Sequence, residues 1–315
     1  MAAFRECYSH LHELRSLAPK VPMIALTATA TKLTKDTILN VLFMDDPYES
    51  LNKLNLTYVV ECMSKDTDLE FCFGWLIDEL KIKKVSCQRT IIYCQTIKQC
   101  GVVYGKINGM LGQNMYASNE ENVLVEMLHS CTPAANKQNI LDSFQSEGGS
   151  IRLLIATIAF GMGVDCKGVH RIVHYGPSKT MEAYVQETGR AGRDGEQSIA
   201  YILYHGILLN HVEGEMKSFV KTSKCRRQAL MKHFDSALTQ PEKAHLCCDN
   251  CSVGCKCGMT DCGTYAKYPA HQIEETSLCL VREREVSPEK KTMARFILET
   301  DHPSRRIIRR EGSSV

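Results

Sequence analysis

The sequence predicts an α/β fold built on a parallel sheet, and two observations carry that expectation. Short β-branched runs alternate with longer helical patterns, and the runs are apolar through most of their length rather than on alternate residues. An uninterrupted apolar run marks a strand buried on both faces, which is the condition of a parallel sheet covered by helices. Alternation of strand and helix then places an α/β domain between about Asn55 and Tyr204.

The strands are read in the order VPMIALTA, LTYVVE, RTIIYC, RLLIAT, HRIVHY and SIAYILY. Helices are expected over Asp66 to Lys81, Lys98 to Leu111, Asn136 to Phe144 and Lys179 to Thr188. Before the third, Thr132 and Pro133 offer a capping hydroxyl followed by a proline suited to a first turn. Ahead of Asn55, only Val21 to Ala28 reads as a strand, behind a helical segment from Arg5 to Leu17. A piece of about 50 residues leaves too much surface wet to hold its own core, so residues 1–54 read as part of a larger lobe. Residues 55–215 form the α/β lobe, 216–256 a small cysteine-bearing subdomain, and 257–315 a tail of mixed charge expected to be disordered.

Composition narrows the function only slightly. With 44% apolar and 23% charged residues the chain is globular. A formal net charge of +2 is too small to advertise a nucleic-acid partner, which must be argued from local residues. No run approaches the roughly 18 apolar residues of a membrane span, so no membrane partner is expected. Sixteen cysteines in a chain of this length, which opens MAAFRECYSH without an apolar leader, fit a reducing cytosol or nucleus better than a disulfide framework.

The most informative string is YVQETGRAGRDG, with Gln186, Gly189, Arg190, Gly192 and Arg193 after a helix and before an Asp-Gly turn. Two arginines spaced by Ala-Gly can present fork-shaped donors to phosphate oxygens from one tight turn. Upstream stands IATIAFGMGVDCKGVHRIVHYGPS, whose Gly161 and Gly163 permit close backbone approach. After the turn come Cys225, Cys247, Cys248 and Cys251, and four thiolates brought together suit a tetrahedral structural zinc. Cys255, Cys257 and Cys262 are rival ligands, Cys255 above all, and His245 lies beside the cluster.

These strings resemble the RecQ family of superfamily-two helicases, over roughly Phe4 to Cys251. QETGRAGRDG resembles motif VI, and IATIAFGMGVDCKGVHRIVHYGPS resembles motif V. ALTATAT, Ala25 to Thr31, is similar to motif III, and IIYCQT, Ile91 to Thr96, to motif IV; either alone would pass as an ordinary strand. CRRQALMKHF followed by CCDNC is similar to the RecQ zinc-binding subdomain.

The resemblance implies a RecA-like C-terminal lobe followed by a helical zinc-binding subdomain. It implies an ATP-dependent 3′-to-5′ DNA helicase serving repair, recombination or replication in the nucleus, with single strands and duplex junctions as partners. Gln186, Arg190 and Arg193 would face ATP and its Mg²⁺ across the cleft, Gly163 and Asp165 would hold the nucleotide, and Thr96 and Thr157 would take DNA phosphates. The phosphate-loop string GK[ST] and the acidic DExH string occur nowhere in the 315 residues. Both belong to the first lobe, so the chain is expected to be a fragment, inactive alone, from a truncated gene model or a decayed copy. The alternative is a non-enzymatic nucleic-acid-binding or partner-binding remnant.

Overall fold

The computed structural model describes residues 31–42, 51–117, 122–146, 148–157, 168–258 and 262, with isolated positions 13, 17, 21 and 25. Most of the expected helix at 5–17, most of the strand at 21–28 and the tail from 263 onward lie outside the described residues.

Six strands form one parallel sheet: β1 (Leu56–Cys62), β2 (Arg89–Cys94), β3 (Val125–Leu128), β4 (Leu153–Thr157), β5 (Val169–Tyr175) and β6 (Ser198–Tyr204). Their spatial order is β1-β6-β5-β2-β4-β3, every pairing parallel. Five of the six are the apolar runs read from sequence. β3 is the addition: a four-residue edge strand with only Val125 and Leu128 buried, too short to announce itself.

Period-two alternation sends successive side chains to opposite faces, and each face has its own core. Val59, Ile92, Cys94, Leu153, Ile155 and Val173 meet α2 (Leu69–Lys83) and α3 (Ile97–Leu111). The helices answer with Phe73, Leu76, Ile77 and Leu80, and with Cys100, Val103 and Ile107, at spacings that line one helical stripe. On the other face Tyr58, Tyr93, Leu154, Ala156 and Ile202 pack with α4 (Ala134–Gln145), α5 (Met181–Thr188), α6 (Gly214–Lys221) and α7 (Arg226–His233). Cys247 and Cys248 belong to that second core, so the cysteine module is packed on the sheet rather than appended to it. α1 (Lys32–Leu42) precedes the sheet, and α8 (Asp249–Ser252) ends the described helices. No helix among the described residues is long and apolar enough to cross a membrane.

Helix starts are set by side-chain caps. Asp68 accepts from the Glu70 N–H, Thr96 from Gln99 and Thr180 from Ala183, each cap contributing about 1 kcal/mol. Thr132 is not the cap expected of it. Its hydroxyl turns back to accept from the His129 N–H at 3.0 Å, and Pro133 occupies the N-cap position of α4 instead.

Candidate functional site

The turn after α5 is held from beneath. Gln186 is exposed in the last turn of the helix, Arg190 is buried and Arg193 is exposed. Lys53 donates to the carbonyls of Gly189 (2.7 Å) and Ala191 (3.4 Å), while Asn55 donates to those of Gly192 (2.8 Å) and Glu196 (2.9 Å). Gly192 has φ +64°, and a Cβ there would lie 2.5 Å from the Asn55 amide nitrogen, so both backbone angle and close approach require glycine. Burial, and then the nearby Arg193 guanidinium, hold the Lys53 ammonium below its usual range. Behind the turn, Glu187 accepts from Ser178 (2.5 Å) and meets His174 at 2.8 Å, all three buried. Lys53, Asn55 and this buried triad carry no motif and were not legible as site residues.

Thr96 and Thr157 share one edge of the sheet. Cys94 pairs with Thr157 across β2 and β4, so both threonines stand at the C-terminal ends of neighbouring strands, where parallel sheets bind ligands. Thr96 is exposed and caps α3, while Thr157 is 9% exposed. Between them, Gln95 is committed to structure, donating to the carbonyls of Pro177 (2.8 Å) and Leu208 (2.9 Å). Gly161, Gly163 and Asp165 lie outside the described residues. Of ALTATAT, Thr31 is seen to cap α1 by accepting from the Thr34 N–H at 3.3 Å.

Cys225, Cys247, Cys248 and Cys251 come together, their sulfurs all within 4.8 Å of one another. Tetrahedral zinc with bonds of about 2.3 Å separates its sulfurs by about 3.8 Å, and Cys225 and Cys247 stand 3.6 Å apart. The donor set therefore fits zinc. The Cys248 sulfur also accepts from the Arg226 N–H (3.4 Å), and that of Cys225 from Gln228 (3.5 Å). Hydrogen bonds from Cys247 and from the Arg226 and Cys251 N–H groups lower the Cys248 thiol to about 5. Its bond to Cys248 and burial push Cys247 far up instead, and burial takes Cys251 to about 12. Cys255, the rival ligand, stands in a different group, with His245, Cys257 and Cys262.

The two arginines after Cys225 dock this module. Arg226 meets Asp249 at 2.6 Å and donates to the carbonyls of Phe219 and Val220, while Asp249 accepts from the β1 N–H of Val60 at 3.0 Å. Arg227, fully buried over the Tyr58 ring, donates to Asn52 and the Lys53 carbonyl at 2.7 Å each and to the Leu56 carbonyl. The Tyr58 N–H reaches the Cys247 carbonyl and the Thr57 hydroxyl that of Leu246, so the module is bonded to the edge strand β1. Lys53 thereby joins the cysteine module to the arginine turn. Arg227→Ala would strand three acceptors, the Leu56 carbonyl buried and those of Asn52 and Lys53 part-buried, at about 1 kcal/mol each. A loss of about 3 kcal/mol is expected in a urea titration of the full chain, and a loss under about 1 kcal/mol would show that Arg227 is not the tie described.

The parallel sheet, the arginine turn at its edge and the cysteine module on β1 define the RecA-like C-terminal lobe of a superfamily-two helicase with a zinc module. The sequence profile of the helicase conserved C-terminal domain matches residues 73–195, and that of RecQ zinc-binding matches 212–252. The chain belongs to the RecQ family. It is 31% identical over 278 residues to ATP-dependent helicase wrn-1 of Caenorhabditis elegans, covering 79% of this chain and 25% of the relative. It is 26% identical over 292 residues to ATP-dependent DNA helicase Q-like 2 of Arabidopsis thaliana, covering 87% and 39%. The chain therefore spans a quarter to two fifths of these relatives. Mss116p bound to single-stranded RNA and AMP-PNP shares the fold, with a TM-score of 0.50, 13% identity, and coverage of 76% of this chain and 45% of that one.

Proposed function

We propose that the chain is one jaw of an ATP-dependent, 3′-to-5′ RecQ-type DNA helicase, acting in the nucleus on single strands and duplex junctions in repair, recombination or replication. The reading rests above all on the turn at 189–195, where Lys53 and Asn55 fix a loop that keeps Arg193 exposed. ATP, when bound between two lobes, supplies the free energy of strand separation. This chain's part is to place Gln186, Arg190 and Arg193 at the nucleotide, with Gly163 and Asp165 on its sugar side. Thr96 at the start of α3 and Thr157 at the end of β4 would hold successive DNA phosphates, since a hydroxyl that accepts a capping bond can still donate its own proton. Cys225, Cys247, Cys248 and Cys251 would hold a structural zinc, with all four positions filled and none left for substrate.

Mg²⁺ would need the phosphate-loop and DExH residues that these 315 residues do not contain. A second reading of these 315 residues is a nucleic-acid-binding or partner-binding unit without catalysis. The experiment is a DNA-stimulated ATPase assay on the purified 315-residue protein. Turnover below about 0.1 s⁻¹ is expected, against typical enzyme values near 10 s⁻¹; faster hydrolysis would contradict the single-jaw reading.

A further inference from the structure

Beyond the family's cysteine quartet, the chain gathers a second set of metal-ligand side chains. We propose that His245, Cys255, Cys257 and Cys262 form a second zinc site, structural and tied to the first. Their ligand atoms lie within 4.8 Å of one another, in a group that shares no residue with the first.

The argument turns on His245, which is 0% exposed. Its Nδ1 stands 3.3 Å from the sulfur of Cys255 and 3.3 Å from that of Cys257. One imidazole nitrogen carries either a single proton or a single lone pair, so a hydrogen bond can serve only one of two such sulfurs. A zinc ion bound by all three resolves the contest, because tetrahedral coordination sets nitrogen and sulfur ligands about 3.6 Å apart. Cys262 completes a three-sulfur, one-nitrogen set, its sulfur 3.9 Å from the Cys255 carbonyl. That donor chemistry selects zinc over harder cations.

Among the described residues of this segment, apolar packing offers no other reason for it to gather. Val253 is 91% exposed, and Lys256 and Cys257 are exposed as well. Gly258, at φ +69°, turns the chain between Cys257 and Cys262. A segment so short and so poor in core residues folds only if something other than burial holds it, and a metal supplies that free energy. The ligands also interleave along the chain. His245 precedes Cys247, Cys248 and Cys251, and Cys255 follows them, so the second site closes a loop around three ligands of the first. It would pin residues 253–262, which lie past the end of the zinc-binding match at 252, against the module docked on β1.

The test is zinc stoichiometry on the full 315-residue chain, purified under reducing conditions and measured by native and inductively coupled plasma mass spectrometry. About two equivalents per chain are expected. The double substitution Cys255→Ser with Cys257→Ser should leave about one, with the circular dichroism of the sheet unchanged. Because a variant can lose metal through misfolding, His245→Cys provides the control: it keeps four ligands and should retain about two equivalents, while His245→Ala drops to about one. Cobalt substitution should show a three-sulfur, one-nitrogen spectrum superimposed on a four-sulfur one, and only the former should vanish in the double variant. A single equivalent in the unaltered chain, unaffected by the double substitution, overturns the second site, as does an internal disulfide among these three cysteines. Either result leaves the reading of the Cys225 cluster intact.

Discussion

Replacing Cys248 with serine is expected to remove at least one equivalent of zinc and to free α7 and α8 from β1 while the six-stranded sheet persists. Structural zinc contributes on the order of 10 kcal/mol to the folding of a small module. α7 and α8, of eight and four residues, are too short to stand alone. The Cys248 sulfur is oriented by the hydrogen bond that it accepts from the Arg226 N–H at 3.4 Å. It is also fully buried and bridges to Tyr58 at the sheet edge, so losing its bond to metal uncouples two elements at once. Metal analysis with limited proteolysis reads both effects: less zinc, and new cleavage between 222 and 252 with the sheet protected. Full zinc retention in the Cys248→Ser protein would show that the ligand set is wrong.

The parts of the fold that could be read in the sequence are those where one short segment contains its own cause. Strands such as RTIIYC and LLIAT are apolar through most of their length because both faces are covered, and the sequence displays that directly. β3 does not: two of its four residues are only half-buried, and its place at the sheet edge is decided by pairing with β4. Helix starts were displaced by two residues or so because caps decide them, as Thr96 and Thr180 do. Thr132 and Pro133 misled for the converse reason, since a hydroxyl before a proline can also turn back to close a preceding loop.

The site divides in the same way. The arginine turn and the cysteine quartet are visible as strings, but what supports them is distant in sequence. Lys53 and Asn55 lie about 140 residues from the turn they hold, and Arg227 reaches back as far to Asn52, Lys53 and Leu56. The boundary drawn at 256 separated Cys257 and Cys262 from His245, which the structure gathers into one group. The signal available was CKCGMTDC itself, a close set of three cysteines needing a fourth ligand.

Arg193→Ala is the second change of large expected effect, and it addresses the helicase reading directly. In phosphoryl transfer an arginine meets charge that builds mainly in the transition state, and its loss costs about 10³ to 10⁵ in rate. In the proposed function DNA is held by other groups, Thr96 and Thr157 at the ends of β2 and β4. The substitution should therefore split the two activities. The turn should survive it, because Lys53 and Asn55 hold backbone carbonyls and not the Arg193 side chain. The deciding measurement pairs DNA-stimulated ATP hydrolysis with single-strand DNA affinity, in a polypeptide joining this chain to a RecQ first lobe that carries the GK[ST] and DExH strings. We expect Arg193→Ala to cut hydrolysis by about 10³-fold or more while the dissociation constant for DNA changes by no more than about threefold. Equal losses in both assays, or hydrolysis unchanged, would contradict a motor role for this turn and leave it a solvated basic loop.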